Sequence, residues 1–144
     1  MKVLLSEESG ENRFMPITSG THHIGLTVSK LEASASFFIN LLGWKEVRRD
    51  PTYPAIFVSD GSLMITLWEA KSEIPNPFDF KNSVGLHHLA LSVESFEALD
   101  AVYKKLEENT IEIEFSPELL REGPAKHMMC YEPSGIRVEF ICVP

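Results

Sequence analysis

The chain has 144 residues, 44% of them apolar and 24% charged, the proportions of one globular domain that can bury a core without disulfide or metal staples. A formal net charge of −8 and a pI near 5.1 argue against a nucleic-acid partner, whose binding runs on clustered Lys and Arg. No run approaches the roughly 18 apolar residues of a membrane span, and Ser6, Glu7 and Glu8 interrupt the opening apolar stretch too early for a secretory signal.

Residues 1–20 carry no periodic pattern and read as an N-terminal arm. The patterned chain begins at residue 21 and repeats itself. Residues 22–33, HHIGLTVSKLEA, return as HHLALSVESFEA over 87–98, at a constant offset of 65 that carries His23 onto His88. Each copy opens with a strand. Ile24, Leu26 and Val28 share one face while His23, Gly25 and Thr27 share the other, because side chains alternate along a strand. Leu89, Leu91 and Val93 against His88, Ala90 and Ser92 do the same.

A helix follows in each copy. Ser29-x-x-Glu32 reads as a capping box, Leu31, Ala35, Phe38 and Leu42 fall at helical spacing, and Gly43 ends the run. In the second copy the stripe is Phe96, Leu99, Val102/Tyr103 and Leu106. Three strands come next in each copy: 44–49, 53–59 and 63–69 in the first, 110–115, 126–131 and 136–143 in the second, with Ile111, Ile113 and Phe115 alternating with Glu112 and Glu114. Asp60-Gly61 marks a tight hairpin. The architecture is α+β, two βαβββ modules: module 1 over 21–69, a Pro-rich linker over 70–82 and module 2 over 83–144. Cys130 and Cys142 sit in apolar strands and read as small buried hydrophobes of a reduced, cytoplasmic protein.

Two strands that begin with equivalent histidines place two imidazoles in related positions. On the closing strand Val138, Phe140 and Cys142 share one face, so Glu139 shares the other with Arg137 and Ile141. A glutamate in so apolar a strand costs free energy unless it is paired, hydrogen-bonded or bound to a cation. His23, His88 and Glu139 are thus candidate ligands for Fe, Mn, Ni, Co or Zn. The residues alone leave a second reading open, two histidines in ordinary hydrogen bonds and a solvated glutamate.

These same residues carry a resemblance. The opening strand His23–Val28 with its helix ending in Leu41-Leu-Gly-Trp44, the second opening strand His88–Val93, and the closing hairpin Pro133–Glu139 resemble the vicinal oxygen chelate superfamily of glyoxalases, extradiol dioxygenases, fosfomycin-resistance transferases and bleomycin-binding proteins, over about residues 21–143. The resemblance implies paired modules curling into a U-shaped mixed sheet. It also implies a divalent metal held by His23, His88 and Glu139, a small-molecule substrate with two adjacent oxygens, and a homodimer. Glyoxalase I-like members place a further glutamate where the alignment puts Thr66; Glu69, three residues on, faces the other way unless a bulge turns it inward to serve as ligand or base. The dioxygenase and transferase branches carry a tyrosine ten residues before the ligand glutamate, where this chain has Met129; Tyr131 shares its facing, and His127 stands close by. Thr66, Trp68, Met129 and Arg137 are expected to line the substrate pocket, with Arg137 either clamping an anionic substrate or pairing with a strand glutamate such as Glu112. No general base stands out. The alternative function is an antibiotic-resistance protein that sequesters or modifies a drug, for which metal is optional and an acidic surface would suit a cationic ligand.

Overall fold

The computed structural model describes residues 5–8 and 11–144, with side chains from Phe14 onward. Within the N-terminal arm the backbones of β1 (Leu5–Glu8) and β2 (Glu11–Phe14) pair as a short antiparallel hairpin, an element no sequence period announces.

Module 1 comprises β3 (His23–Val28), α1 (Leu31–Ser36), β4 (Lys45–Asp50), β5 (Ala55–Ser59) and β6 (Met64–Glu69). Module 2 comprises β7 (Leu89–Ser92), α2 (Phe96–Glu108), β8 (Glu112–Leu119), β9 (Lys126–Tyr131) and β10 (Arg137–Cys142). The strand orders are β3-β6-β5-β4 and β7-β10-β9-β8, with first and last strands parallel and the rest antiparallel. Both modules therefore have one topology, and the fold is α+β as the repeat implies. Among the described residues the two sheets share no ladder, which leaves β3 and β7 as edge strands.

Each sheet has a helix-covered face and an open face. Leu26, Val28, Ile65 and Leu67 pack with Leu31, Ala35 and Phe38 of module 1, and Leu89, Leu91, Val138 and Phe140 with Leu99 and Leu106 of module 2, all in one continuous buried cluster. Each Val, Leu, Ile or Phe among them contributes about 1.5–3 kcal/mol by leaving water. Cys130 and Cys142 are free and buried; burial pushes the Cys130 thiol up to about 12, so it behaves as an inert hydrophobe.

The two helices start differently. Ser95 caps α2 by accepting from the Ala98 N–H at 3.0 Å. The Ser29-x-x-Glu32 capping box does not form: α1 begins after Lys30 with no side-chain cap, and Glu32 pairs instead with Arg49 at 2.5 Å. The cause lies in the other module. The Lys30 N–H donates to Ser134 Oγ at 3.1 Å, and buried Ser34 donates to Glu132 at 2.5 Å, so the β9–β10 turn anchors the start of α1. Past Ser36 the helix widens into a π-helical turn over Phe37–Leu41. The extra residue brings Phe37 into the core beside Phe38, and Leu42 is only partly buried. Gly43 then reverses the chain at φ +76, and Trp44 donates to the Phe38 carbonyl at 2.9 Å.

Candidate metal centre

Parallel pairing of β7 with β10 sets Glu139 beside Ala90, two residues from His88 and on the same face. The Glu139 carboxylate is 8% exposed, a placement that costs several kcal/mol without partners, and each of its oxygens faces an imidazole. Oε1 lies 3.2 Å from His88 Nε2, and Oε2 lies 2.5 Å from His127 Nδ1. His127 comes from β9, where Met129 pairs directly with Glu139 and is buried. His88 is held from its other side by His87, Nδ1 to Nδ1 at 2.7 Å. The His88–Glu139 pair has the donor chemistry of a metal site. Two ligands about 2.1 Å from one ion stand about 3.0–3.4 Å apart when mutually cis, and the His88–Glu139 spacing falls in that interval.

Module 1 places its counterparts by the same rule. Thr66 pairs with Gly25 as Glu139 pairs with Ala90, so threonine occupies the carboxylate's place. It is 2% exposed, and its hydroxyl accepts from Trp68 Nε1 at 2.8 Å. Gly25 makes room for that pair, because a Cβ there would sit 3.2 Å from Thr66 Oγ1 and 3.6 Å from Trp68 Nε1. Glu69 is solvent-exposed at the end of β6, pairing in register with Val28 on the helix-covered side, and no bulge interrupts the β3–β6 ladder. His23 is exposed on the open face, where its ring meets His22. No described contact joins it to His88 or Glu139. Among the described residues no group of three or more His, Cys, Asp or Glu side chains is disposed to hold an ion. One chain thus unites two of the three expected ligands.

Arg137 also faces the open side, but it is engaged. Its guanidinium, 8% exposed, grips Glu114 through two hydrogen bonds of 2.8 and 2.9 Å, lies 4.2 Å from the Phe80 ring centroid and comes within 3.4 Å of His87 Nδ1. Hydrogen bonding from Arg137, against a smaller cost of burial, holds Glu114 at about 2; Tyr131 donates to the same carboxylate, which pushes the Tyr131 phenol up. The pairing reading of Arg137 holds, with Glu114 rather than Glu112 as partner.

The sequence missed three participants: His127, Glu114 and Phe115. His127 was legible in principle, since strand alternation puts it on the face of Met129 and Glu139. Glu114 was legible too, since it alternates with Ile113 and shares the facing of Glu112; Phe115 was not. A shift in the β8–β9 register between Ile113 and Phe115 breaks the alternation and turns Phe115 to the open face, 4.9 Å from the His127 ring. A cavity of about 750 Å³ lies elsewhere, between β3, the linker segment Glu73–Phe78 and the β9–β10 turn, and contains neither His88 nor Glu139.

Residues 20–140 match the family described as the Glyoxalase/Bleomycin resistance protein/Dioxygenase superfamily. The chain is 30% identical over 125 residues to the uncharacterised protein YqjT of Bacillus subtilis, covering 83% of this chain and 96% of that protein. It is 28% identical over 116 residues to the catechol-2,3-dioxygenase of Bacillus subtilis, covering 76% of this chain but only 40% of that enzyme. Among solved structures, a glyoxylase/bleomycin resistance protein/dioxygenase domain from Frankia sp. EAN1pec superposes with a TM-score of 0.77 at 27% identity, covering 88% of this chain and 93% of the other.

Proposed function

Because the chain belongs to the Glyoxalase/Bleomycin resistance protein/Dioxygenase superfamily, we propose that it is a metal-dependent enzyme acting on a small molecule with two adjacent oxygens. Its divalent ion is held by His88 and Glu139 of one chain and His23 of a second copy in a homodimer. The observation that carries the reading is the 3.2 Å approach of His88 Nε2 to Glu139 Oε1 on a nearly buried carboxylate. A second copy enters because His23, at the repeat-equivalent place, has no partner in module 2 of its own chain, while β3 and β7 are both edge strands.

In this reading the ion supplies Lewis-acid polarisation of one of the two substrate oxygens. His127 holds Glu139 Oε2, so that Oε1 points to the centre; His87 fixes the rotation of the His88 ring. Thr66, standing where glyoxalase I-like members have a carboxylate, leaves three protein ligands and open positions for water and a chelating substrate. Arg137, bound to Glu114, shapes the pocket wall and does not clamp substrate. The buried free thiols support a reducing, cytoplasmic setting for this reading.

Metal analysis of the purified protein beside His88→Ala tests this. The expected result is a divalent metal in wild type and its loss in the variant, with catechols and dicarbonyl–thiol adducts screened for turnover under several metals. If wild type holds no metal, and added Ni, Zn, Mn or Fe(II) changes neither melting temperature nor activity, the enzyme reading fails in favour of a metal-free drug-sequestering protein.

A further inference from the structure

The open face of module 1 bears no second carboxylate ligand, yet it is built. Three rings meet there. Tyr53 stands edge-on to Trp68 at 5.0 Å, and Phe57 lies tilted 5.6 Å from the same indole. Trp68 is fixed by its bond to buried Thr66, in space that Gly25 leaves open. Two cations frame the rings: Arg48 Cζ lies 5.7 Å from the Phe57 centroid, and Lys71 Nζ lies 3.4 Å from the Tyr53 centroid.

The charge is what makes the cluster informative. In a chain of net charge −8, Arg49 is paired with Glu32 and Glu46, and Arg137 with Glu114. Among the described residues no carboxylate lies within ion-pair distance of Arg48 or Lys71. With cations already over the Tyr53 and Phe57 rings, the cluster does not suit a quaternary ammonium ligand, which would need an unoccupied ring face. A flat ring carrying negative charge fits both halves: its face meets the ring edges that the cations leave uncovered, while its anion meets the cations themselves.

We propose that Tyr53, Phe57 and Trp68, with Arg48 and Lys71, form a subsite for the planar aromatic carboxylate portion of the substrate. Thr66 and Phe57 share the ladder row equivalent to that of Glu139, and Trp68 lies two residues farther along β6. The subsite therefore extends away from the row where metal ligation is placed. The assignment deepens the metal-enzyme reading, and its test is run so that the two can fail separately.

Trp44 is buried against Phe38, whereas Trp68 is only partly buried, so Trp44→Phe leaves one reporter indole in the full-length protein. This protein is titrated with benzoate, cyclohexanecarboxylate and benzyl alcohol, as purified and after chelator treatment, following Trp68 emission. Benzoate is expected to give saturable quenching about tenfold tighter than either control, in both metal states. Arg48→Gln with Lys71→Gln is expected to weaken benzoate about tenfold while melting temperature and metal content stay unchanged. Equal response to benzyl alcohol, non-saturable quenching, or binding that vanishes with the metal and ignores the double substitution overturns the proposal. Should Trp44→Phe not fold, ligand-detected NMR with the unsubstituted protein gives the same comparison. A protein that holds no metal yet binds benzoate in this pattern retains the subsite and loses the metal reading.

Discussion

The two modules share a backbone plan and differ in what they mount on it. In both, the first and last strands run parallel in matching register, pairing Gly25 with Thr66 and Ala90 with Glu139. On the open face module 1 offers His23 with its ring against His22, a hydroxyl and a cluster of rings; module 2 offers a carboxylate between two imidazoles, with a buried guanidinium beside it. Duplication fixes the positions, and one ladder position, Thr66 against Glu139, sets the chemistry of each half. The proposed centre needs both halves, with the ligand-rich face of one chain opposed to the ring-bearing face of another.

The sharpest way to break that division is to disable the halves in separate chains. His23→Ala and Glu139→Ala are each expected to lower metal affinity at least about a hundredfold, because each removes a ligand outright. Metal at a hundred times the wild-type Kd, which stabilises wild type by about 2.7 kcal/mol, should then stabilise either variant by no more than about 0.4 kcal/mol, read as a much smaller shift in melting temperature. Co-folding the two variants in equal amounts should restore about a quarter of the wild-type sites, since half the dimers are mixed and each mixed dimer keeps one intact site. Restoration absent from the mixture, with both single variants folded, would place all three ligands in one chain and remove the shared centre.

A second contrast concerns how each helix begins. Ser95 caps α2 from within its own module, but α1 is anchored across modules through Ser34, Glu132 and Ser134. Glu132 is 2% exposed, and burial raises it above the ordinary carboxylate value of 4.5 against the pull of its hydrogen bonds and of Lys30. A raised folded value means the folded state holds its proton longer than the unfolded chain. The contribution of Glu132 is therefore greatest below pH 4.5 and declines as pH rises through the folded value. Ser34→Ala removes a partner of the ionised form, so it is expected to cost about 1–3 kcal/mol at pH 7.5 and distinctly less at pH 4. Urea unfolding at the two pH values checks this; a pH-independent loss would mean that Glu132 stays neutral throughout.

The Thr66–Trp68 bond gives a smaller effect. Thr66→Val keeps the volume and removes the acceptor for a partly buried indole N–H, at an expected cost of about 1 kcal/mol in unfolding free energy. Trp68 emission should shift as the ring loses its tether, while metal content stays at the wild-type level. If metal content falls as well, Thr66 does more than hold the wall.

Much of this was legible because the sequence repeats. The repeated strands and the alternation around Glu139 follow from period-two patterning and a constant offset, and the matching ladders bear them out; the tight hairpin expected at Asp60-Gly61 is instead a four-residue loop between Ser59 and Met64. What escaped was whatever one module does to the other. The cap expected at Ser29 gives way to Ser134, a residue about a hundred positions away that no local window contains. Likewise the shift at Ile113/Phe115 changes the facing of Phe115, whose alternation looked regular. The placement of His23 was beyond reach for another reason: a duplicated strand fixes its row, and neither the repeat nor the chain says which copy's row it faces.

The smallest test lies at the edge of module 2, where Tyr131 and Arg137 form one ladder pair and module 1 has Ser59 and Met64. Tyr131 donates to Glu114, a carboxylate held at about 2. That lowered folded value, set mainly by Arg137 and in smaller part by Tyr131, means that the bonds to Glu114 stabilise the protein above pH 4.5 and fade as pH falls through about 2. On the alkaline side the sign reverses. The phenol is raised above its ordinary value of 10.0 by the same bond, so the stabilisation is whole below pH 10 and is lost as pH climbs through the raised value. Tyr131→Phe is accordingly expected to cost about 0.5 kcal/mol near pH 7, the low end for a hydrogen bond at a partly solvated site. The gap to wild type should close toward both extremes. A gap that stays constant from acid to base would show that the ring's packing, and not the bond to Glu114, is what Tyr131 contributes.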